Sequence, residues 1–143
     1  MWEDVWMPDT ILDLISRFIC LQKEEKVSDT GKKEKVERLI FPRYHQLDAV
    51  RSIIANVRDN GAGKNYLIQH SAGSGKSNTI AWVAHRLADL HDAKSEKIFD
   101  SVIIITDRRV LDKQLRETVA QFEQVRGVVK PIKRGADGRV EGL

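Results

Sequence analysis

The stretch Ser71-Ala72-Gly73-Ser74-Gly75-Lys76-Ser77 decides the fold of this 143-residue chain. It follows a short apolar segment, Tyr66–Ile68, that favours a buried strand, and its last residue opens an apolar-periodic segment. That periodicity predicts a helix from Ser77 to about Leu90. The pattern G-x-x-x-x-G-K-[ST] is met except at its first position, where His70 replaces glycine. A strand, a glycine-bearing loop and a helix in this order predict a phosphate-binding loop.

The loop contains the residue types that hold a nucleoside triphosphate. Gly73 and Gly75 accept positive φ angles, so backbone N–H groups can turn inward around a phosphate. Lys76 can place its ammonium on the β- and γ-phosphates, and the Ser77 hydroxyl can bind Mg²⁺ at the start of the helix. A nucleoside triphosphate with Mg²⁺ is therefore the expected ligand. Ser77 is the expected metal ligand, and the expected phosphate site is made of Ala72, Gly73, Ser74, Gly75, Lys76, Ser77 and Asn78. We expect His70 to be a strand-end residue without a catalytic role.

Apolar patterns around the loop predict an α/β fold with a parallel sheet. Ser101–Thr106 is a continuous β-branched run, typical of a strand covered on both faces. Because predicted strands and helices alternate along the chain, the strands are expected to be parallel. The other predicted helices are Pro8–Leu21, Arg43–Asp59 and Val110–Gln124. Their predicted inward-facing residues are Ile11, Leu12, Ile15, Phe18 and Ile19 in the first, Leu47, Val50, Ile53, Ile54 and Val57 in the second, and Leu111, Leu115, Val119 and Phe122 in the third. A third strand, which Pro131 disfavours, is predicted at Gly127–Ile132.

The polar stretch Lys23–Lys35 carries near-balanced charges and is predicted to be a solvated loop. We therefore expect a connector helix with a polar linker over residues 1–35, a main unit over 36–132, and a flexible, Gly-rich tail over 133–143.

Composition narrows the class of protein. Lys plus Arg is 24 and Asp plus Glu is 21, a net charge of +3 that is compatible with a nucleic-acid partner. The longest apolar run, Val102–Ile105, is too short for a membrane-spanning helix, and the acidic start Met1–Asp4 is unlike a signal peptide. Cys20 is the single cysteine, which excludes an intrachain disulfide. The expected location is the cytoplasm, with no membrane partner.

A second candidate site is Phe41-Pro42-Arg43-Tyr44-His45-Gln46, about thirty residues before Lys76. A glutamine amide offers a donor and an acceptor, which complement the N7 acceptor and N6 donor of adenine. Arg43 or Tyr44 could stack on the base. The alternative is that Gln46, in the first turn of a helix, serves as a capping residue.

A third candidate site is Thr106-Asp107-Arg108-Arg109, which follows the Val102–Ile105 strand. Ligands bind at the carboxyl ends of parallel strands. The side chains of Thr106 and of Arg108 or Arg109 could therefore contact DNA phosphates. The alternative is a helix start with solvated charges.

In this order and spacing, Phe41–Gln46, Ser71–Ser77 and Thr106–Gln114 resemble the motor (R, or HsdR) subunit of type I restriction endonucleases. The strings Arg-Tyr-His-Gln, Gly-Ser-Gly-Lys-Ser and Thr-Asp-Arg look like that family's Q motif, motif I (Walker A) and motif Ia. The resemblance extends from about Pro8 to Pro131.

The resemblance implies a P-loop NTPase of helicase superfamily 2, here part of its first RecA-like lobe, preceded by a connector helix. Such an engine uses ATP to translocate double-stranded DNA, in a complex with modification and specificity subunits. It also implies roles for four residues: Lys76 stabilises the transferring phosphoryl group, Ser77 holds Mg²⁺, Gln46 selects adenine and Arg108 touches the DNA backbone.

Some of that family's parts do not occur among these 143 residues. The family's nuclease domain lies upstream of the motor, while its acidic Walker B tetrad and second lobe lie downstream. We therefore expect this chain to be a fragment that hydrolyses no ATP by itself. Two other functions fit the phosphate loop: a small P-loop kinase, and a degenerate nucleotide-binding or assembly module without turnover.

Overall fold

The computed structural model describes residues 5–27, 33–107, 109–122, 129–130, 132–134 and 140–141. Its elements are, in order, α1 (Pro8–Arg17), β1 (Cys20–Val27), β2 (Lys33–Ile40), α2 (Tyr44–Asn60), α3 (Lys76–Ala88), α4 (Arg109–Gln121), β3 (Lys133–Arg134) and β4 (Val140–Glu141). The prediction of a mixed helix and strand fold is confirmed.

Helix α2 forms as predicted because its apolar residues recur with the helical period and glycine ends it. The predicted stripe is buried throughout: Leu47, Val50, Ile53, Ile54 and Val57. The helix stops at Gly61, whose φ is 73° and whose N–H donates to the carbonyl of Val57. Positive φ costs glycine little, which explains the sharp end.

Helix α3 also forms where it was predicted, and it lies at the centre of the packing. Trp82 is 1% exposed, and its indole N–H donates to the carbonyl of Phe18 (2.9 Å). Its ring lies 5.8 Å from that of Phe18 and 5.3 Å from that of Phe122, measured between centroids. On the same helix His85 bonds to the carbonyl of Val119 in α4 (2.8 Å). Helix α3 is thus tied both to α4 and to the segment that follows α1.

Helix α1 is shorter than predicted and buries part of its predicted face. It ends at Arg17, and the chain then enters β1. Phe18 is buried as predicted, and Leu14 is buried as well, whereas Leu12 and Ile15, which were predicted to face inward, are 64% and 61% exposed. The prediction was therefore wrong for Leu12 and Ile15. Helix α1 is also held to α2 and α3 by ion pairs.

Those ion pairs centre on Asp13. Arg86 of α3 donates to its carboxylate at 2.6 Å, and the guanidinium of Arg86 lies 5.5 Å from the centroid of the Phe18 ring. Arg17 and Arg51 lie 3.5 and 4.0 Å from the same carboxylate, and Arg51 also donates to the Thr10 hydroxyl. Asp13 thereby joins α1 to both α2 and α3.

The polar stretch 23–35 was predicted to be a loop, and this was wrong for residues 23–27 and 33–35; residues 28–32 lie outside the described residues. Strands β1 and β2 pair antiparallel over their whole length, from Cys20 opposite Ile40 to Val27 opposite Lys33. Opposite charges face each other in this register, as in the ion pair between Lys23 and Glu37 (3.0 Å). Cross-strand pairs of this kind stabilise a sheet by about 0.2–1 kcal/mol each. The balance of charges in this stretch predicted exposure to solvent, but in the structure it supports the pairing of β1 with β2.

The two segments predicted as parallel strands are not strands in this structure. Within the described part of the chain, strands pair only antiparallel. Residues 66–68 and 101–106 have no strand partner, and Leu67 and Ile105 are 92% and 89% exposed. The prediction of a strand covered on both faces therefore fails here, because burial of a strand depends on neighbouring strands that these segments do not have.

Helix α4 is confirmed close to its predicted bounds. Leu115 and Val119 are buried against Ala81 of α3, and Phe122 is half-buried, but Leu111, predicted to face inward, is 45% exposed. The predicted strand at 127–132 lies partly outside the described residues, and its described residues 129, 130 and 132 are not in a strand. In the predicted tail, β3 pairs antiparallel with β4. The proposed domain boundaries stay predictions.

Two further observations concern the Cys20 thiol and membrane-spanning helices. Cys20 is half-buried, and this burial raises the pKa of its thiol, which leaves it less thiolate and less reactive at neutral pH. Among the described residues, no helix is both long and apolar enough to cross a membrane.

Replacing Trp82 by alanine should lower the free energy of unfolding by about 3–5 kcal/mol, because it removes a buried ring and leaves a cavity. Trp6, which is 68% exposed, offers a matched control. Trp6→Ala should change stability by less than about 0.5 kcal/mol. Urea unfolding followed by circular dichroism measures both, and equal effects would contradict the central role of Trp82.

Candidate phosphate-binding site

The predicted phosphate loop has the backbone geometry that its glycines permit. Gly73 and Gly75 have φ values of 73° and 81°, and Gly75 is the N-cap of α3, whose first residue is Lys76. The first amides of a helix have no intrahelical partner. In the described backbone hydrogen bonds, the amides of Gly73, Gly75, Lys76 and Ser77 donate to no carbonyl. The start of α3 therefore presents donors and the positive end of a helix dipole, which together favour an anion.

Ser74 is the buried residue of this loop. The residue is only 7% exposed, and the oxygen of its hydroxyl group has no hydrogen-bond partner. The Thr79 hydroxyl, one helical turn further on, is likewise buried and unpartnered. Buried polar atoms without partners are rare in folded proteins, and they are common where a ligand or water completes the site.

The Lys76 side chain is hydrogen-bonded to backbone carbonyls at the start of the loop. Its ammonium donates to the carbonyls of His70 (3.1 Å) and Ser71 (2.7 Å), at the start of the loop, and the side chain is exposed. The ammonium is therefore already positioned over the loop. It can exchange two neutral carbonyls for phosphate oxygens, with which it would form stronger, charge-assisted hydrogen bonds.

The Gln46 side chain is hydrogen-bonded to the backbone of the loop. The residue is 3% exposed, and its amide nitrogen donates to the carbonyls of Ser74 (3.2 Å) and Gly75 (2.9 Å). Its amide oxygen accepts from the backbone N–H of Arg43 (2.8 Å), which caps α2. The capping role considered for Gln46 is therefore present, and the same amide also joins the starts of α2 and α3. The adenine contact stays a prediction.

Gly75 must be glycine for two reasons. Its φ of 81° lies in the left-handed region, and a Cβ at this position would lie 2.6 Å from the amide nitrogen of Gln46. At Gly73, by contrast, a Cβ would meet nothing within 4 Å. The tight fit at Gly75 shows how closely Gln46 supports the loop.

Two histidines lie beside Gln46. The Nε2 atom of His45 is 3.2 Å from the Ser74 carbonyl oxygen, and the His45 ring meets the His70 ring edge to face, with centroids 4.7 Å apart. His70 does stand at the start of the loop, but it does not end a strand, and its Nδ1 atom is buried without a partner. The sequence analysis missed the contact made by His45, and no pattern in the sequence indicated it.

The other predicted ligands of the nucleotide lie in the loop or at the starts of α2 and α3. Arg43 and Tyr44 are exposed at the start of α2, and Tyr44 is 52% exposed. Ala72 and Ser77 are also exposed, whereas Asn78 is half-buried. The contacts of His45 and Gln46 with carbonyls of the loop bring the first two candidate sites, Phe41–Gln46 and Ser71–Ser77, into one place.

The predicted DNA contacts are only partly described. Thr106 is half-buried and precedes α4, while Arg108 lies outside the described residues. The DNA-binding role of both residues stays a prediction.

The described residues contain no group of three or more His, Cys, Asp or Glu side chains that could hold a metal ion. Ser77, which was predicted to bind Mg²⁺, is exposed at the start of α3, and this role stays a prediction.

A glycine loop with positive φ values, a helix that begins at Lys76, and exposed donors at that helix start are compatible with a phosphate-binding loop of the P-loop class. Residues 45–136 match the SWI2/SNF2 ATPase family. This match covers more than half of the chain, and the chain belongs to that family.

Among curated proteins, the chain is similar to endonuclease subunits of type I restriction enzymes. It is 27% identical to the HindI subunit of Haemophilus influenzae over 92% of this chain and 12% of that protein. It is 30% identical to the putative MjaVIIP subunit of Methanocaldococcus jannaschii over 77% of this chain and 10% of that protein. The chain thus spans about a tenth of the length of these relatives. No solved structure was found to match it.

Replacing Gly75 by alanine should destabilise the protein more than replacing Gly73. Both variants carry the cost of a left-handed residue, about 1–2 kcal/mol, but only Gly75→Ala also places a methyl group against Gln46. The double variant Gln46→Ala/Gly75→Ala should therefore be more stable than the sum of the single effects implies. Urea unfolding of the four proteins measures this coupling. Additivity within about 0.5 kcal/mol would mean that the two residues do not interact.

Proposed function

We propose that this chain is the ATP- and DNA-binding part of the translocating subunit of a type I restriction-modification endonuclease. The observation that carries the proposal is the phosphate loop, which lies within the part of the chain that matches the SWI2/SNF2 ATPase family. The similarity to restriction endonuclease subunits over most of the chain supports the choice of system. A small kinase has no such support.

In this proposal Mg·ATP binds at the start of α3. The phosphates would be held by the Lys76 ammonium and by the amides of Gly73, Gly75, Lys76 and Ser77. Ser77 would hold Mg²⁺ together with the phosphates, and Arg43 or Tyr44 would stack on the base. The unpartnered Ser74 hydroxyl and the free amides at the helix start support this placement. Bound magnesium would neutralise charge on the phosphates, and Lys76 would stabilise the charge that develops on the group transferred.

We further propose that Tyr66–Ile68 and Val102–Ile105 pair as parallel strands when the complete lobe is assembled. Both segments are apolar and β-prone, both lack a strand partner, and Leu67 and Ile105 are almost fully exposed. A parallel strand is normally buried on both faces. In that arrangement Thr106 and Arg108 would follow the carboxyl end of a strand, where they would contact DNA phosphates.

The remaining parts of the proposal concern the whole protein. Double-stranded DNA is the substrate, and modification and specificity subunits are the partners. The subunit works in the cytoplasm. Turnover of ATP would require an acidic pair to complete the Mg²⁺ shell and a second lobe with its arginine, so these 143 residues by themselves should bind nucleotide without hydrolysing it.

Replacing Lys76 by alanine should weaken the binding of Mg·ATP by about 1.5–3 kcal/mol, the range for hydrogen bonds to charged groups. Lys64→Ala, a change at an exposed lysine outside the phosphate loop, is the control and should bind like the wild type. Titration of a fluorescent ATP analogue measures the affinity of all three proteins. Equal affinity in the wild type and in Lys76→Ala would remove the phosphate-site assignment.

Gln46 should give a modest preference for ATP over GTP. Both of its N–H groups are used by the loop carbonyls, but its oxygen keeps one lone pair, which the N6 amino group of adenine could reach. One neutral hydrogen bond corresponds to about two- to tenfold in affinity. Gln46→Ala should remove this preference and weaken both nucleotides, as measured by competitive displacement. If the wild type binds GTP as tightly as ATP, Gln46 does not contact adenine and its role is structural.

A further inference from the structure

The carbonyl group of Ser74 accepts hydrogen bonds from two neighbouring side chains. His45 and Gln46, consecutive residues in the first turn of α2, each place a nitrogen 3.2 Å from this oxygen. A carbonyl oxygen can only accept, so the Nε2 atom of His45 must carry a proton. The two donors use both lone pairs of the oxygen, and this fixes the direction of the carbonyl bond.

Fixing this carbonyl also fixes the amide of the next residue. The Ser74 carbonyl and the Gly75 N–H belong to one planar trans peptide, and the described chain contains no cis peptide bond. The two groups therefore point in opposite directions. Because the carbonyl points to α2, the Gly75 N–H points away from α2, toward the open side of the loop. The next peptide is fixed in another way: the Gly75 carbonyl accepts from the amides of Asn78 and Thr79 in α3 as well as from Gln46.

The peptide between Ser74 and Gly75 needs such restraint. Glycine crosses between positive and negative φ at little cost, so a peptide that precedes glycine can turn over more easily than others. A reversed peptide would present a carbonyl oxygen to a phosphate and repel it. Gln46 divides its two N–H groups between two carbonyls, whereas the His45 contact is made to the Ser74 carbonyl.

We infer that His45 is a positioning residue of the phosphate loop: by donating from Nε2 to the Ser74 carbonyl, it holds the Gly75 amide toward the anion. His70, which replaces the first glycine of the loop pattern, holds the ring of His45 by edge-to-face contact. This role goes beyond the proposed function and rests on it only where nucleotide binding is concerned.

Two substitutions separate the hydrogen bond from the ring contact. His45→Gln keeps a nitrogen donor at nearly the same distance from the backbone but removes the ring. His45→Phe keeps the ring against His70 but removes the donor. His91→Gln, at an exposed histidine away from the phosphate loop, controls for the general effect of the change.

In titrations with a fluorescent, non-hydrolysable ATP analogue and Mg²⁺, His45→Gln should bind within about twofold of the wild type. His45→Phe should bind about three- to tenfold more weakly, the loss expected for one hydrogen bond. The opposite order would show that the ring contact matters and the donor does not, and would overturn the inference. Equal affinities in both variants, whether retained or lost, would overturn it as well.

Nuclear magnetic resonance of the nucleotide-free chain gives a second test, which does not depend on the proposed function. The amide signals of Gly75 and Lys76 should shift in His45→Phe and stay close to wild-type positions in His45→Gln. In the wild type, His45 should be protonated at Nε2. If nucleotide binding is absent but these signals behave as expected, the proposed function fails and the positioning role stands. Unshifted amides in His45→Phe would refute the role itself.

Discussion

The amide of Gln46 is the constraint on which the candidate site depends. One buried side chain caps α2 through its oxygen and holds two carbonyls at the start of α3 through its nitrogen. Each of these bonds is modest in net energy, but leaving such a buried group unpaired would cost about 1–3 kcal/mol. The starts of two helices, far apart in sequence, are therefore kept in one arrangement, and Gly75 is the residue small enough to permit it.

Helix α3 transmits that arrangement to the rest of the described structure. It begins at the phosphate loop, packs Trp82 between Phe18 and Phe122, and pairs Arg86 with Asp13 of α1. A shift of its first turn would thus displace α1 and α4, because the contacts of Trp82 and Arg86 lie within the following three turns of the same helix. Close-packed interiors do not deform gradually, so such a shift would move whole elements.

The helices could be predicted from the sequence, and the sheet could not. Helix α2 follows from local periodicity and a glycine end, and the loop at Gly75 follows from residue types at fixed spacing. Strands depend on their partners. The antiparallel pairing of β1 with β2 was missed because its paired charges are also typical of a solvated loop. Tyr66–Ile68 was expected to be buried by neighbouring strands, which the described residues do not form. The use of Gln46 was half predicted, since a sequence shows a capping position but not which distant carbonyls a side chain will meet.

The unpaired segments Tyr66–Ile68 and Val102–Ile105 have a consequence for how the chain behaves in concentrated solution. Each offers unpaired backbone groups and exposed apolar side chains, the features through which chains add to one another edge to edge. A net charge of +3 provides little repulsion between copies, and salt screens what there is. Solubility should therefore be governed by these few residues, and polar substitutions at Leu67 and Ile105 would improve it without touching the phosphate loop.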